Sequence, residues 1–351
     1  MAEPEIMFVT RKWAPAVGGM ETYSLRLTQA LADKAGLDIV ALPGRANGMP
    51  PGRLALLRFP FTILRRWLGR KLPPNVLHVG DMALWPVGLL AGNKTKVVLS
   101  AHGTDVAYQR RGGFKGGLYG AYLRLGARMM RKALVIANSR ATRDVANESG
   151  WHSVEIVPLA TDITGTVPDG SHNGRVLFAG RLIERKGCGW FVREVLPMLP
   201  EGVQLDIAGT VWTDQERAVL DDPRVRFLGP LSADELALAY RKALCVIVPN
   251  IPVSSGEYEG FGLVAPEGAA AGGIVLASRC DGLTDAMIDK VTGFLIEPKD
   301  ALTWRDKIVE LLDWSGEERR AFLEHSTPEA QRVYAWDRVA HDVLKAYGLG
   351  Q

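Results

Sequence analysis

Twelve short β-rich runs recur along this chain of 351 residues, and longer amphipathic stretches separate them. Several runs, such as 134–137 (LVIA) and 245–248 (CVIV), are apolar at every position, as expected of strands covered on both faces. Such strands alternating with helices favour an α/β fold with parallel sheets. The predicted strands are Ile6–Val9, Asp38–Leu42, Val76–Val79, Val97–Ser100, Leu134–Ala137, Glu155–Val157, Val176–Ala179, Gln204–Ala208, Val225–Leu228, Cys245–Val248, Ile274–Ala277 and Phe294–Ile296.

The length favours two domains, because 351 residues exceed the usual size of a single core. The segment Thr161–Asn173 (TDITGTVPDGSHN) is polar and rich in Gly, Pro, Asp and Ser, which is typical of a linker. We therefore predict one domain over residues 1–160 and another over 174–333. The last stretch, about residues 334–351, has a helical pattern and can pack back onto the first domain.

The composition is typical of a globular protein, with 47% hydrophobic and 23% charged residues. No apolar run is long enough to span a bilayer, and the N-terminus lacks a basic region followed by an apolar one. Cys188, Cys245 and Cys280 are far apart and match no disulfide framework or zinc-site spacing. These features predict a cytoplasmic protein without a signal peptide or transmembrane helix.

The charge is unevenly distributed along the chain. Residues 1–160 carry 22 basic against 10 acidic residues (+12), whereas residues 161–351 carry 20 against 29 (−9). Residues 39–80 and 106–143 hold seven and nine basic residues and no acid, interleaved in the first region with Phe, Trp and Leu. We hypothesise a peripheral contact with an anionic membrane surface. The alternative is ordinary core helices with cationic outer faces. No recognisable nucleic-acid module is present, so no nucleic-acid partner is expected.

Two candidate ligand loops follow strands in the first half. Gly18-Gly19 and Glu21 stand between a strand and a helix, where glycines either let the backbone approach a ligand or simply tighten the turn. No GxGxxG fingerprint occurs, which disfavours a dehydrogenase. His102 and Asp105 follow the fourth strand, at the edge where ligands bind in such sheets. They could bind an acceptor hydroxyl, or His102 could be bonded within its loop while Asp105 caps the next helix.

A cationic loop follows the first strand of the second half, over Gly180–Gly187 (GRLIERKG). Arg181 and Lys186 can clamp a diphosphate without a metal and stabilise it as a leaving group. The alternative is a solvated charge run, above all for Glu184 and Arg185.

Two carboxylates, Glu259 and Glu267, bracket the turn Gly260–Leu263 and the start of a helix rich in small residues. Carboxylates grip hydroxyls, and free N–H groups at a helix start can take an anion. A ligand that is both polyhydroxylated and phosphorylated, such as a nucleotide sugar, would use all of these groups. The alternative is that Glu259 caps the helix and Glu267 faces solvent.

Taken together and in this order, these motifs resemble family 4 of the retaining nucleotide-sugar-dependent glycosyltransferases, over nearly the whole chain. The resemblance implies the GT-B fold, with two Rossmann-like domains whose parallel sheets face each other across a cleft. It implies that residues 1–160 bind the acceptor, that residues 174–333 bind the donor and that the terminal helix crosses back.

The resemblance also assigns roles to residues. It implies that Arg181 and Lys186 hold the diphosphate, Glu267 the ribose and Glu259 the transferred sugar, with His102 in the active site. The implied catalytic residues are His102, Arg181, Lys186 and Glu259, and the implied acceptor residues are Glu21, His102 and Asp105. The implied donor-binding residues are Gly18, Gly19, Gly180, Arg181, Lys186, Glu259, Gly260, Phe261, Gly262, Leu263 and Glu267.

The implied reaction transfers a sugar from a UDP- or GDP-sugar to a glycan, lipid-linked or small-molecule hydroxyl, with retention and with no metal or other cofactor. Two alternatives stay open: an epimerase or hydrolase of sugar nucleotides with the same fold, and a non-catalytic glycan-binding scaffold.

Overall fold

The computed structural model describes residues 5–349. Within them the chain divides into two compact units. The first unit comprises the chain up to Leu159 together with the residues from Trp336 onward, and the second unit comprises Ala160–Ala335. No helix among the described residues is both long enough and apolar enough to cross a bilayer.

The first unit is built on a six-stranded parallel sheet with the strand order β2-β1-β3-β4-β5-β6. Its strands are β1 (Glu5–Trp13), β2 (Gly36–Pro43), β3 (Val76–Val79), β4 (Lys96–Ala101), β5 (Leu134–Ala137) and β6 (Val154–Ile156). Its helices are α1 (Gly19–Ala32), α2 (Arg53–Leu68), α3 (Thr104–Ala107), α4 (Gly113–Met129) and α5 (Arg140–Glu148), with 3₁₀ segments at Met82–Leu90 and Tyr108–Arg111.

The second unit has a six-stranded parallel sheet with the order β12-β11-β10-β7-β8-β9. Its strands are β7 (Arg175–Leu182), β8 (Gln204–Val211), β9 (Val225–Gly229), β10 (Cys245–Val248), β11 (Val275–Ser278) and β12 (Phe294–Ile296). Its helices are α6 (Cys188–Trp190, continued by a π turn at Phe191–Val195 and a 3₁₀ turn at Leu196–Met198), α7 (Asp214–Arg217), α8 (Ala233–Lys242), α9 (Val264–Ala270), α10 (Leu283–Ala286), α11 (Ala301–Asp313) and α12 (Gly316–Val333), with 3₁₀ turns at Glu184–Lys186 and Ala218–Asp221.

All twelve predicted strands are present, and the predicted α/β class with two parallel sheets is confirmed. The runs that are apolar at every position became strands buried on both faces: every residue of β5 and β10 is buried. Several strands extend beyond their apolar runs; β1, for example, continues from Val9 to Trp13. In β1, β7 and β8 the extension lies mainly at the carboxyl end of the strand.

Two segments pack against elements that are distant from them in the sequence. The terminal helix α13 (Trp336–Tyr347) belongs to the first unit, where it packs against α1. The segment Thr161–Asn173 contains no helix or strand and is bonded along the second unit: Gly165 N donates to Ala270 O at 3.0 Å, and Asn173 N to Lys242 O at 2.9 Å. The predicted linker is thus a strap on the second unit.

Candidate functional site

Two loops of the second unit meet because the strands that precede them are neighbours. Strand β10 pairs with β7, with Val246 opposite Leu177. The turn after β7 holds Arg185 and Lys186, and the loop after β10 runs to Glu259. In a parallel sheet both loops leave from the same edge, which is the edge where ligands bind in folds of this type.

The Glu259 carboxylate is the centre of a cluster of donors. Its Oε2 accepts hydrogen bonds from Arg185 Nη1 at 2.7 Å, from Asn250 Nδ2 at 3.0 Å and from Lys186 Nζ. The Glu259 backbone N–H donates to Asp281 Oδ2 at 3.1 Å. Burial alone would raise the pKa of Glu259, but the charges of Lys186 and Arg185 outweigh it and lower the pKa to about 2. The carboxylate is therefore ionised at neutral pH.

Gly187 lets the two loops approach. Its φ is +70°, in the left-handed region, and a Cβ there would lie 1.9 Å from Pro249 O. The loops are also bonded directly, since Ile251 N donates to Arg185 O at 3.0 Å. Only glycine fits at this position. The close approach of the two loops places Lys186 beside the loop that carries Glu259.

Glu267 lies in α9, where Tyr240 OH donates to its Oε2 at 3.2 Å. Burial raises the pKa of Glu267, while the bond from Tyr240 and the charge of Lys186 act in the opposite direction. Lys186 thus interacts electrostatically with both Glu259 and Glu267. The structure brings these three predicted residues together in one unit.

The turn Gly260–Leu263 connects the two carboxylates. Phe261 is buried at 3% exposure and anchors the turn. Gly262 has a φ of +89°, and a Cβ there would lie 2.4 Å from Leu283 Cδ2. Gly282 N donates to Glu259 O at 2.9 Å, and Leu263 is half-buried at the start of α9.

Arg181 stands apart from this cluster. It is exposed on β7, and its guanidinium carbon lies 4.7 Å from the ring centre of Trp212. Trp212 is itself 62% exposed, and its Nε1 donates to Thr210 Oγ1 at 2.9 Å. Gly180 and Gly209 are paired on the adjoining strands, where a Cβ on Gly209 would meet Gly180 O at 1.8 Å. The strand ends can therefore lie close enough for Arg181 and Trp212 to stack.

In the first unit the His102 side chain is bonded to the loop that follows β3. Its Nε2 lies 2.9 Å from Gly80 O, a carbonyl that can only accept, so we assign the proton of the neutral ring to Nε2. The ring also meets Tyr23 edge-on, with centroids 4.7 Å apart. Only Nδ1 remains for a ligand, and in this tautomer it accepts a hydrogen bond.

Asp105 stabilises the loop that carries His102, and both of its carboxylate oxygens are already bonded to backbone N–H groups. Its Oδ1 accepts from His102 N at 2.8 Å and its Oδ2 from Met82 N at 3.1 Å, and its side chain is buried. The alternative in which Asp105 caps the next helix is wrong, because no side chain caps α3 and Asp105 accepts from backbone N–H groups outside it. Burial raises the pKa of Asp105, against the lowering effects of His102 and of these bonds.

Glu21 lies in the first turn of α1, and its Oε1 is 3.3 Å from Lys12 Nζ. It is 8% exposed and folds back on the glycine pair, since a Cβ on Gly18 would lie 2.5 Å from Glu21 Oε2. At Gly19 a Cβ would meet nothing within 4 Å. Gly18 therefore makes room for Glu21, whereas Gly19 leaves open space at the helix start.

Comparison with known proteins extends these observations to the whole chain. Residues 17–164 match the family model described as Glycosyltransferase Family 4, and residues 173–313 match the one described as Glycosyl transferases group 1. The chain belongs to the family 4 glycosyltransferases. The two matches fall one on each unit and together cover most of the chain.

Individual relatives of this family 4 glycosyltransferase support the same grouping. This chain is 39% identical over 125 residues to the D-inositol 3-phosphate glycosyltransferase of Salinispora tropica. The match covers 36% of this chain and 24% of that protein. This chain is 32% identical over 190 residues to the enzyme of the same name from Corynebacterium diphtheriae, covering 50% and 43%. These matches span less than half the length of the curated relatives.

A solved structure matches over nearly the full length. HepE of Anabaena, determined in complex with UDP and glucose, superposes with a TM-score of 0.70 at 18% identity, covering 98% of this chain and 99% of that one. At this identity the match shows the fold, which is GT-B.

Sequence reasoning missed four residues of this glycosyltransferase. Arg185 was open to interpretation as a solvated charge, and that interpretation is wrong: its side chain is buried and bound to Glu259, while Glu184 is exposed as expected. Tyr240 and Trp212 carry no signal in the sequence. Asn250 carries one, because it follows β10 at the same edge as the glutamate loop.

Proposed function

We propose that this protein is a retaining, metal-independent hexosyltransferase that moves a sugar from a UDP- or GDP-sugar to a hydroxyl of a glycan, lipid-linked or small-molecule acceptor. The observation that carries the proposal is the convergence of Arg185, Lys186 and Asn250 on Glu259, with Glu267 within electrostatic reach of the same lysine. Cations and ionised carboxylates in one cluster suit a ligand with both a diphosphate and several hydroxyls.

The donor groups are assigned by their chemistry. Lys186 and Arg181 bind the diphosphate and offset the charge that develops as it leaves. Glu267 accepts hydrogen bonds from the ribose hydroxyls. Glu259, ionised at any pH above about 2, accepts hydrogen bonds from the transferred sugar, next to the backbone of Gly260, Gly262 and Leu263. UDP in the HepE structure is consistent with a donor of this class.

The reaction proceeds by front-face attack. The bond from the anomeric carbon to the phosphate oxygen breaks, and its electron pair stays with the phosphate. The acceptor oxygen bonds to the same face of the anomeric carbon, through an oxocarbenium-like state, so the configuration is retained. The acceptor proton passes to the departing phosphate oxygen. His102 accepts a hydrogen bond from the acceptor through Nδ1, Glu21 binds a further hydroxyl, and Asp105 holds the His102 loop.

The test has two stages. Thermal-shift screening of nucleoside diphosphates and their sugars identifies the donor, because a ligand that binds only the native state raises the melting temperature. Transfer is then measured by NMR of the product anomer, with and without a chelator. Lys186→Ala and Glu267→Ala should abolish transfer in folded protein, while the exposed controls Lys345→Ala and Glu194→Ala should not.

Full activity in Lys186→Ala and Glu267→Ala would overturn the assignment. An epimerised or hydrolysed donor without acceptor dependence would establish the epimerase or hydrolase alternative. Binding of glycans without binding of any nucleotide would establish the alternative of a non-catalytic scaffold. If a chelator abolished transfer and added metal restored it, the metal independence would be wrong and the rest of the proposal would stand.

A further inference from the structure

Helix α2 is apolar on two opposite sides. Its inward side buries Phe59 and Ile63, which are 3% and 1% exposed. Its outward side carries a second stripe whose five members recur at helical spacing of three and four residues: Leu54, Leu57, Phe61, Leu64 and Leu68, exposed at 60, 71, 72, 39 and 73%.

This outer stripe is unusual for a helix on the surface of a unit. Such a helix normally has one apolar stripe facing the core and a polar opposite face. Here five large apolar side chains form a continuous exposed row, and contiguous apolar patches on a protein surface mark interaction sites.

The charges beside the stripe are all positive. Arg58 and Arg65 lie along one edge of the row and Arg53 along the other, and all three are exposed. Helix α2 contains no acidic residue. Cations flanking an apolar row are the pattern of a helix that lies in a membrane interface.

Helix α4 adds a second row in the same unit. The 3₁₀ segment Met82–Leu90 packs against both α2 and α4 and so lies next to each of them. The exposed apolar residues of α4 again share one stripe: Phe114, Leu118, Leu125 and Met129, at 85, 62, 50 and 53%. Exposed Lys115, Arg124 and Arg128 accompany them.

We propose that this α2–α4 face docks on an anionic lipid bilayer, with the apolar rows entering the interface and the arginines and lysines binding lipid phosphates. Charge complementarity selects this occupant. A second copy of the same face would bring arginine against arginine with no carboxylate on either helix. A nucleic acid would leave nine large apolar side chains without a partner.

The experiment is co-sedimentation of the intact protein with phosphatidylcholine vesicles, with and without phosphatidylglycerol, at low salt. We expect binding only to the anionic vesicles. The double variant Arg58→Ala/Arg65→Ala should weaken partitioning about thirty-fold, because each cation near an anionic surface contributes roughly five-fold. Leu57→Glu/Phe61→Glu should abolish binding, and Leu302→Glu, at a leucine of the second unit that is 58% exposed, should not.

Circular dichroism confirms that each variant is folded. The proposal is overturned if the wild type ignores anionic vesicles at low salt, or if Leu57→Glu/Phe61→Glu binds them as well as the wild type. Sedimentation velocity adds a further decisive outcome: a concentration-dependent dimer that the same double variant dissolves would make the face a self-association interface instead. Donor hydrolysis or transfer to a water-soluble acceptor should be unchanged in these variants, which separates this proposal from the proposed function.

Discussion

His78 Nε2 lies 2.7 Å from Ser100 Oγ inside the first unit, between the adjacent strands β3 and β4. The other ring nitrogen, Nδ1, is bonded to Tyr347 OH of helix α13, and Ser100 Oγ lies 3.2 Å from Tyr23 OH. Tyr23 in turn packs edge-on against His102. A buried chain of polar groups therefore joins the C-terminal helix to the candidate active-site histidine.

His78 should make the protein sensitive to mild acid. Burial, with a smaller contribution from the nearby imidazole of His102, lowers the pKa of His78 to about 3, below its ordinary value of about 6.5. Below pH 6.5 the unfolded chain takes up a proton that the native protein refuses, so native stability falls as the pH is lowered toward 3. The loss should be about 2 kcal/mol between pH 7 and pH 5. Urea unfolding at the two pH values measures it.

The variant His78→Gln isolates this effect, because glutamine does not titrate. Its unfolding free energy should change less between pH 7 and pH 5 than that of the wild type, while the exposed control His152→Gln should keep the wild-type slope. Burial also lowers the pKa of His172, so some slope should remain. An unchanged slope in His78→Gln would contradict the prediction.

Glu259→Gln separates the charge of the carboxylate from its shape. The variant leaves Arg185 and Lys186 without their counter-ion, so the ligand-free protein should lose about 3–5 kcal/mol of stability. Nucleoside diphosphate should bind at least as tightly, because both cations are released to the phosphates, whereas transfer should be lost. Calorimetry and the transfer assay measure the two effects. Glu201→Gln, an exposed change, is the control; full transfer by Glu259→Gln would refute the role of this residue.

Gly187→Ala should be far more harmful than another glycine substitution in the same unit. Its Cβ would lie 1.9 Å from Pro249 O at a φ of +70°. The two loops would have to separate, so we expect a loss of more than about 3 kcal/mol in the free energy of unfolding. At Gly202 a Cβ meets nothing within 4 Å, and Gly202→Ala should be near neutral. Denaturant unfolding of the pair tests this, and equal stabilities would show that the loops tolerate separation.

Trp212 should tune donor binding through Arg181. The Trp212 ring orients the Arg181 guanidinium through a stack worth about 0.5–1 kcal/mol, and Trp212→Ala removes that orientation. If Arg181 binds the diphosphate, the KM for the donor should rise about two- to five-fold with kcat little changed. Trp212→Phe should restore most of the affinity, since phenylalanine keeps an aromatic face. A KM unchanged in Trp212→Ala would mean that the stack has no part in donor binding.

The apolar pattern of the chain is enough to predict the twelve strands and the parallel α/β class. Runs that are apolar at every position can be satisfied only by burial on both faces, and this requirement is local. It also predicts that Lys186 follows β7 and that Glu259 and Glu267 follow β10, since the order of strands and loops can be read from the pattern even where the strand ends cannot.

The contacts between side chains depend on the folded chain and could not be predicted from the pattern. Arg185 and Arg181 are equally charged neighbours in the sequence, but Arg185 reaches Glu259, 74 positions away, while Arg181 stacks on Trp212. In α2 the sequence contains two apolar stripes and cannot say which is buried. The sheet covers Phe59 and Ile63, and this choice leaves Leu57 and Phe61 on the surface. Burial depends on what the rest of the chain covers, which no local pattern contains.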